Sequence, residues 1–201
     1  MRQPIAWLLP IALAFLGNSA SAQEAYISQV GMSHSAANVA FGTGNTQNIV
    51  QTGELNAGAQ ITDGSDNTSN LVQDGLQNIG VSVVLGQRNV SNIVQLGTSN
   101  QAVFSISGMN NAVTALQVGS FHTASVNLYG NDTDVTIEQY GMGREVDLNI
   151  TDQMVSSSNP GATRSSANND RFQVGVYQAS TSTPVVASIT RTANGSLIIQ
   201  P

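Results

Sequence analysis

The sequence predicts an all-β fold: a β-solenoid with two strands per 22-residue rung and about six rungs, followed by a short β-rich C-terminal tail. Three observations lead there. Gln-x-Gly recurs at Gln29, Gln51, Gln73, Gln95, Gln117 and Gln139 at a constant spacing of 22 residues, without insertion. A second set of glycines falls midway, so that Gly31, Gly42, Gly53, Gly64, Gly75, Gly86, Gly97, Gly108, Gly119, Gly130 and Gly141 form an unbroken series at spacing 11. Three residues after them come His34, Asn45, Asn56, Asn67, Asn78, Asn89, Asn100, Asn111, His122, Thr133 and Arg144, a column that is Asn in its middle and frays at both ends.

Residues 1–22 read as a secretory leader: Arg2 gives a positive start, residues 5–17 an apolar run, and Ala20-Ser21-Ala22 a cleavage signal. The exported chain is then expected to begin at Gln23. Cysteine is absent, so no disulfide framework accompanies export. Lysine is absent as well; without Arg2, five Arg face twelve acids, a balance that argues against a nucleic-acid surface. No later run is long and apolar enough to span a bilayer, so no transmembrane span is expected after the leader.

Residues 23–155 hold the repeat. Eleven residues suit a strand of about five plus a bend, two strands to a rung. The Gly-x-x-Asn element is expected to be the bend, because Gly and Asn both tolerate positive φ. An 11-residue period also fits a right-handed coiled coil, but glycine in every third turn between β-branched residues makes a poor helix. Alternation assigns the faces: the places four and two before each Gly share the inward side. In the first strand of each rung these are Ile27/Gln29, Ile49/Gln51, Leu71/Gln73, Ile93/Gln95, Ala115/Gln117 and Ile137/Gln139. The second strands place Asn38/Ala40, Gln60/Thr62, Ser82/Val84, Phe104/Ile106, Val126/Leu128 and Leu148/Ile150 inward.

Rungs stacked at ~4.8 Å set equivalent residues directly above each other. Each Gln amide can then donate to the Gln on one side and accept from the Gln on the other, forming a ladder. A buried Gln without such partners would cost about 1–3 kcal/mol. Asn56, Asn78 and Asn100 belong to the same assembly ladder, and the glycines mark the turns. After the repeat, residues 156–171 form a polar linker with Pro and Gly. In the tail, 172–201, FQVGVYQ, TPVVASIT and SLIIQ read as three short strands. Gln173-x-Gly175 echoes the motif but falls 34 residues after Gln139, out of register, which suggests a cap on the last rung or a separate attachment segment.

No catalytic, cofactor or metal site is expected. His34 and His122 share a turn column but lie four rungs apart, roughly 19 Å, too far for joint ligation within one subunit. Asp63, Asp74 and Glu138 fall in different columns or distant rungs, so no carboxylate pair faces a cleft. Isolated acids of this kind read as gatekeepers against premature aggregation. The outward columns are too irregular for an ice-binding array. A monomeric secreted solenoid that binds a glycan or surface ligand through Tyr129 and Tyr140 is the alternative reading.

These residues resemble the curlin repeat, the unit of the curli fibre subunits of Gram-negative bacteria, whose pattern runs Ser-x5-Gln-x-Gly-x2-Asn-x-Ala-x3-Gln. Gln51, Gly53 and Asn56 match it, as do Gln73, Gly75 and Asn78, and Gln95, Gly97, Asn100 and Ala102. Rungs one and five keep Gln29, Gly31, Ala36 and Gln117, Gly119, Ala124, with His34 and His122 at the Asn place. Rung six keeps Gln139 and Gly141, with Arg144 there. Two departures stand out. The second Gln of the pattern is Thr62, Val84, Ile106 and Leu128, so the second arm is drier. The Gly- and Asn-rich export segment usual in curlin subunits is also missing, since Gln29 lies six residues after Gln23. The resemblance implies a functional amyloid: a secreted homopolymer for adhesion and biofilm matrix, with a nucleating or partner subunit and an outer-membrane secretion pore as partners.

Overall fold

The computed structural model describes residues 11–16, 23–152, 171–178, 184–191 and 197–200. The expected cleavage site and all of the linker except Arg171 lie outside them. The described chain is all β, wound as a solenoid with one strand of each rung in each of two sheets. Rung one is β2 (Glu24–Met32) and β3 (Ser35–Thr43), rung two β4 (Thr46–Glu54) and β5 (Ala57–Ser65), rung three β6 (Thr68–Leu76) and β7 (Ile79–Gln87). Rung four is β8 (Val90–Thr98) and β9 (Gln101–Met109), rung five β10 (Ala112–Ser120) and β11 (Thr123–Asn131), rung six β12 (Thr133–Met142) and β13 (Glu145–Asp152). Neighbouring rungs pair in parallel, Gln over Gln and Gly over Gly.

Three features depart from the sequence expectation. Most strands are nine residues rather than about five, because each corner also pairs with the rung beside it. Leu55 N–H donates to Met32 O at 3.0 Å and Thr46 N–H to Asn67 O at 2.8 Å, so the ladder runs nearly unbroken round the turn. The turn's second strained residue is not the Asn. Positive φ belongs to the glycines and to the residue two places later, for example Leu55 (58°), Gln77 (58°), Arg88 (52°) and Phe121 (58°). The Asn is instead a fully buried side chain.

The third departure lies beyond rung six. β14 (Phe172–Gln178) pairs in parallel with β12, and β15 (Val185–Arg191) with β13, adding a seventh rung. Gln178, not Gln173, is aligned with Gln139. β16 (Leu197–Gln200) then pairs antiparallel with β15, ending that sheet. At the other end β1 (Ile11–Leu16), inside the expected leader, pairs in parallel with β3. One sheet therefore runs from β1 to β16, and the other from β2 to β14.

The core lies between the sheets, and from rung two to rung six every residue expected to face inward is buried. In rung one Asn38 and Ala40 are buried, while Ile27 and Gln29 on the outermost strand β2 are half-buried. A third inward column, six places before each Gly, was not anticipated; it holds Gln47, Ser69, Ser91, Val113 and Val135 in one sheet and Ala36, Ala102, Ala124 and Val146 in the other. Gly58 and Gly80 occupy this column opposite Leu71: a Cβ on either would lie 2.6 Å and 2.4 Å from the Leu71 methyls. The core changes character along its axis. Asn38, Gln47, Gln60, Thr62, Ser82 and Ser91 fill the early rungs, whereas Phe104, Ile106, Val126, Leu128, Leu148 and Ile150 fill the later ones.

Candidate functional site

The Gln column forms one continuous chain of amides. Gln29 Nε2 donates to Gln51 Oε1 at 2.7 Å, Gln51 to Gln73 at 2.7 Å, and Gln73 to Gln95 at 2.8 Å. Gln95 donates to Gln117 at 2.9 Å, Gln117 to Gln139 at 2.8 Å, and Gln139 to Gln178 at 2.9 Å. From Gln51 to Gln178 the second N–H of each amide crosses to the facing sheet. Gln51 donates to Ser35 O, Gln73 to Ala57 O, Gln95 to Ile79 O and Gln117 to Gln101 O, at 2.8–3.0 Å. The Gln is thus a strut between sheets as well as a rail along the axis. Both donors are used, which is what keeps a buried amide from being a net cost.

The Asn column makes a second rail. Asn78 donates its backbone N–H (3.0 Å) and its Nδ2 (3.1 Å) to Asn56 Oδ1, and Nδ2 also reaches Gly97 O in the next rung at 3.0 Å. Asn67, Asn89, Asn100 and Asn111 repeat this pattern. Asn is needed because one short side chain must accept from one rung and donate to the other; Asp could not donate.

Histidine meets the same requirement. His34 Nδ1 accepts Asn56 N–H at 3.3 Å and its Nε2 faces Val30 O at 3.1 Å. His122 Nδ1 accepts Arg144 N–H at 3.2 Å and its Nε2 faces Val118 O at 3.1 Å. These are the contacts of Asn56, whose Nδ2 donates to Thr52 O, four residues back, at 2.8 Å. A backbone N–H on Nδ1 and a carbonyl at Nε2 require the neutral Nε2–H tautomer. Burial accordingly lowers the His122 pKa below its usual value, with Arg144 adding to the effect and the Val118 carbonyl opposing it.

The turn glycines are fixed by contact as well as by φ. At Gly97 (φ 124°) a Cβ would sit 2.0 Å from the Gly119 carbonyl oxygen in the next rung, an impossible approach. Gly143 (φ 66°) has nothing within 4 Å of such a Cβ, so only its backbone conformation favours glycine.

The early core carries a polar network with no counterpart in the later rungs. Gln47 Nε2 donates to Val39 O (2.9 Å) and Thr62 Oγ1 (2.8 Å), and the Ser82 and Ser91 hydroxyls meet at 2.7 Å. Gln60, with its amide turned to satisfy both ends, donates to Asn38 Oδ1 at 3.1 Å and accepts from Ser69 Oγ at 3.1 Å. The seventh rung is held differently again. Arg171 pairs with Asp134, Arg191 stacks over the Phe172 ring at 5.2 Å, and Tyr177 meets Tyr140 at 5.7 Å.

The structure therefore brings the predicted Gln and Asn residues together as two axial rails. Sequence reasoning missed Gln178, because phase is lost before it, and the column six places before each Gly. The small residues Ala36, Gly58, Gly80, Ala102 and Ala124 were the signal that could have revealed that column. Among the described residues no helix is long and apolar enough to cross a membrane. Comparison with curated proteins and with solved structures gave no match. Residues 108–141, which run from Gly108 through rung five to Gly141, match the family model described as the curlin associated repeat.

Proposed function

We propose that this chain is a secreted, curli-like fibre subunit that self-assembles outside the cell into amyloid serving surface adhesion and a biofilm matrix. One observation carries the reading: a single amide ladder passes through every rung and arrives at a strand edge. Among the described residues β2 pairs on one side only, and Gln29 Oε1 accepts no hydrogen bond. An incoming copy stacked at ~4.8 Å would continue the backbone ladder and the Gln rail with the geometry already used between rungs. An exposed edge of this kind templates further strands.

Removal of residues 1–22 would take β1 away and leave β3 as an edge beside β2, so both arms of rung one would then offer unpaired backbone. Leader cleavage is in this reading a step toward assembly. Export through an outer-membrane pore and initiation by a nucleating or partner subunit complete the proposal, supported by the curlin associated repeat. No chemistry beyond self-association is assigned.

The test is direct. Purified residues 23–201 should form dye-binding fibres with reflections near ~4.8 and ~10 Å. A chain that stays monomeric for weeks at high concentration would overturn the reading and leave a monomeric binding solenoid in its place.

A further inference from the structure

On β3, β5 and β7 the outward face of their sheet is apolar where the core behind it is polar. Val39, Phe41, Ile61, Val83 and Leu85 stand outward there, with Phe41 50% exposed, Ile61 41% and Leu85 42%, and Val103 (48%) extends the patch by one residue onto β9. One acid, Asp63, and no cation share this area. The inward residues of the same strands include Asn38, Gln60, Thr62 and Ser82. The arrangement reverses from β9 on: β9 buries Phe104 and Ile106 with Ser105 and Ser107 outward, and β11 and β13 bury Val126, Leu128, Leu148 and Ile150 and turn Ser125, Asn127, Asp147 and Asn149 outward. Strand alternation puts successive residues on opposite faces, so this inversion is written into the sequence and is not a slip of register.

We propose that this apolar face docks against the same face of a second filament of this chain, side by side. The inference rests on the fibre reading above and adds a second, lateral contact to it. Three strands at ~4.8 Å and four outward places at ~6.7 Å make a patch of roughly 300–400 Å². A stable pair of proteins needs about 800 Å² per partner. One patch is too small to hold two monomers, and a filament that repeats it in every subunit is not, because later contacts form at high effective concentration. Bundling therefore follows end-to-end growth and does not precede it.

A second filament is the occupant that fits. It offers the same flat face at the same ~4.8 Å period, and two such faces pack ~10 Å apart. The other sheet is less suited: its Val50, Val72 and Val94 stripe is flanked by Asn48, Asn70 and Asn92 on one side and by Thr52 and Asp74 on the other. A membrane fits poorly, since the patch has no Lys or Arg for headgroups and the chain carries a net charge of −6.

The experiment compares residues 23–201 with the double variant Ile61→Thr/Leu85→Thr, which keeps strand-forming residues and leaves the inward columns intact. Asn127→Thr on the polar half is the control. Filament elongation is followed by dye fluorescence and bundle width by negative-stain microscopy. Wild type and control should bundle, while the double variant should elongate at an unchanged rate as single filaments and need roughly tenfold more protein to bundle. Equal bundling by the double variant, or single filaments from the wild type, would overturn the lateral contact while leaving the fibre reading in place. If the variant instead loses binding to phosphatidylcholine–phosphatidylglycerol vesicles with bundling unchanged, the face belongs to a lipid surface and the proposal fails. Absence of filaments from every chain would sink the fibre reading, and the lateral contact with it.

Discussion

Replacing Gln95 with Leu isolates the contribution of the Gln rail. Gln95 accepts from Gln73 at 2.8 Å and donates to Gln117 Oε1 and to Ile79 O, both at 2.9 Å. Leucine has a similar volume but keeps none of the three contacts. Gln73 retains its bond to Ala57 O, so one of its two amide hydrogens is orphaned, and Gln117 Oε1 loses its donor. Two buried amide groups left unpaired cost about 1–3 kcal/mol each. The gain from burying an apolar side chain offsets about 1–2 kcal/mol of that. The net loss is about 1–4 kcal/mol, measured as a lower urea midpoint for Gln95→Leu than for the parent chain. Arg88→Gln is the matched control, because Arg88 occupies the positive-φ turn place that Gln77 fills one half-rung earlier. It should stay within about 0.5 kcal/mol of the parent. Equal midpoints for the two variants would mean that the Gln column does not hold the stack together.

Three further outcomes follow from the turns. Gly97→Ala should prevent folding or cost more than Gln95→Leu, since its Cβ would lie 2.0 Å from Gly119 O, whereas Gly143→Ala should cost only the αL penalty of about 1–2 kcal/mol; circular dichroism and urea unfolding separate them. Phe121, 59% exposed at φ 58°, should be replaceable by Gly with a gain of about 1 kcal/mol in the same unfolding assay. For His122, the folded chain favours the neutral ring and its pKa lies below 6.5. Its stabilising contribution is therefore complete above about pH 6.5, the unfolded value, and declines as pH falls from there through the folded pKa. His122→Asn should flatten that decline in unfolding midpoints measured across pH 5–7, and an unchanged slope would refute the assigned tautomer.

Much of this fold is legible in the sequence because a solenoid applies one local rule many times. The spacing of 22 fixes which residues lie side by side, and alternation before each Gly then places Ile93 and Gln95, or Phe104 and Ile106, in the core. The Gln rail follows from that register alone. The functions of the turn residues were less accessible. Gly and Asn both suit positive φ, so the sequence offers no reason to separate them. Only the stacked backbone shows that the strained place after each Gly belongs to residues as varied as Leu55, Arg88 and Phe121. It also shows that His34 and His122 continue the Asn rail, since what the site selects is an acceptor and a donor at set positions, not an amide.

The sequence by itself determined the period, the register, the two main inward columns and the chemistry of the ladder, because each depends only on which residues recur at a fixed interval. Tertiary structure decided what happens where the interval breaks. Gln178 lies 39 residues after Gln139, and no spacing rule identifies it as the next member of the column. Its place is selected by strand pairing, by Arg171 against Asp134, by Arg191 over Phe172, and by Tyr177 against Tyr140. Those contacts form only once β12 and β13 present a finished edge, and a linear pattern contains no edge to dock on.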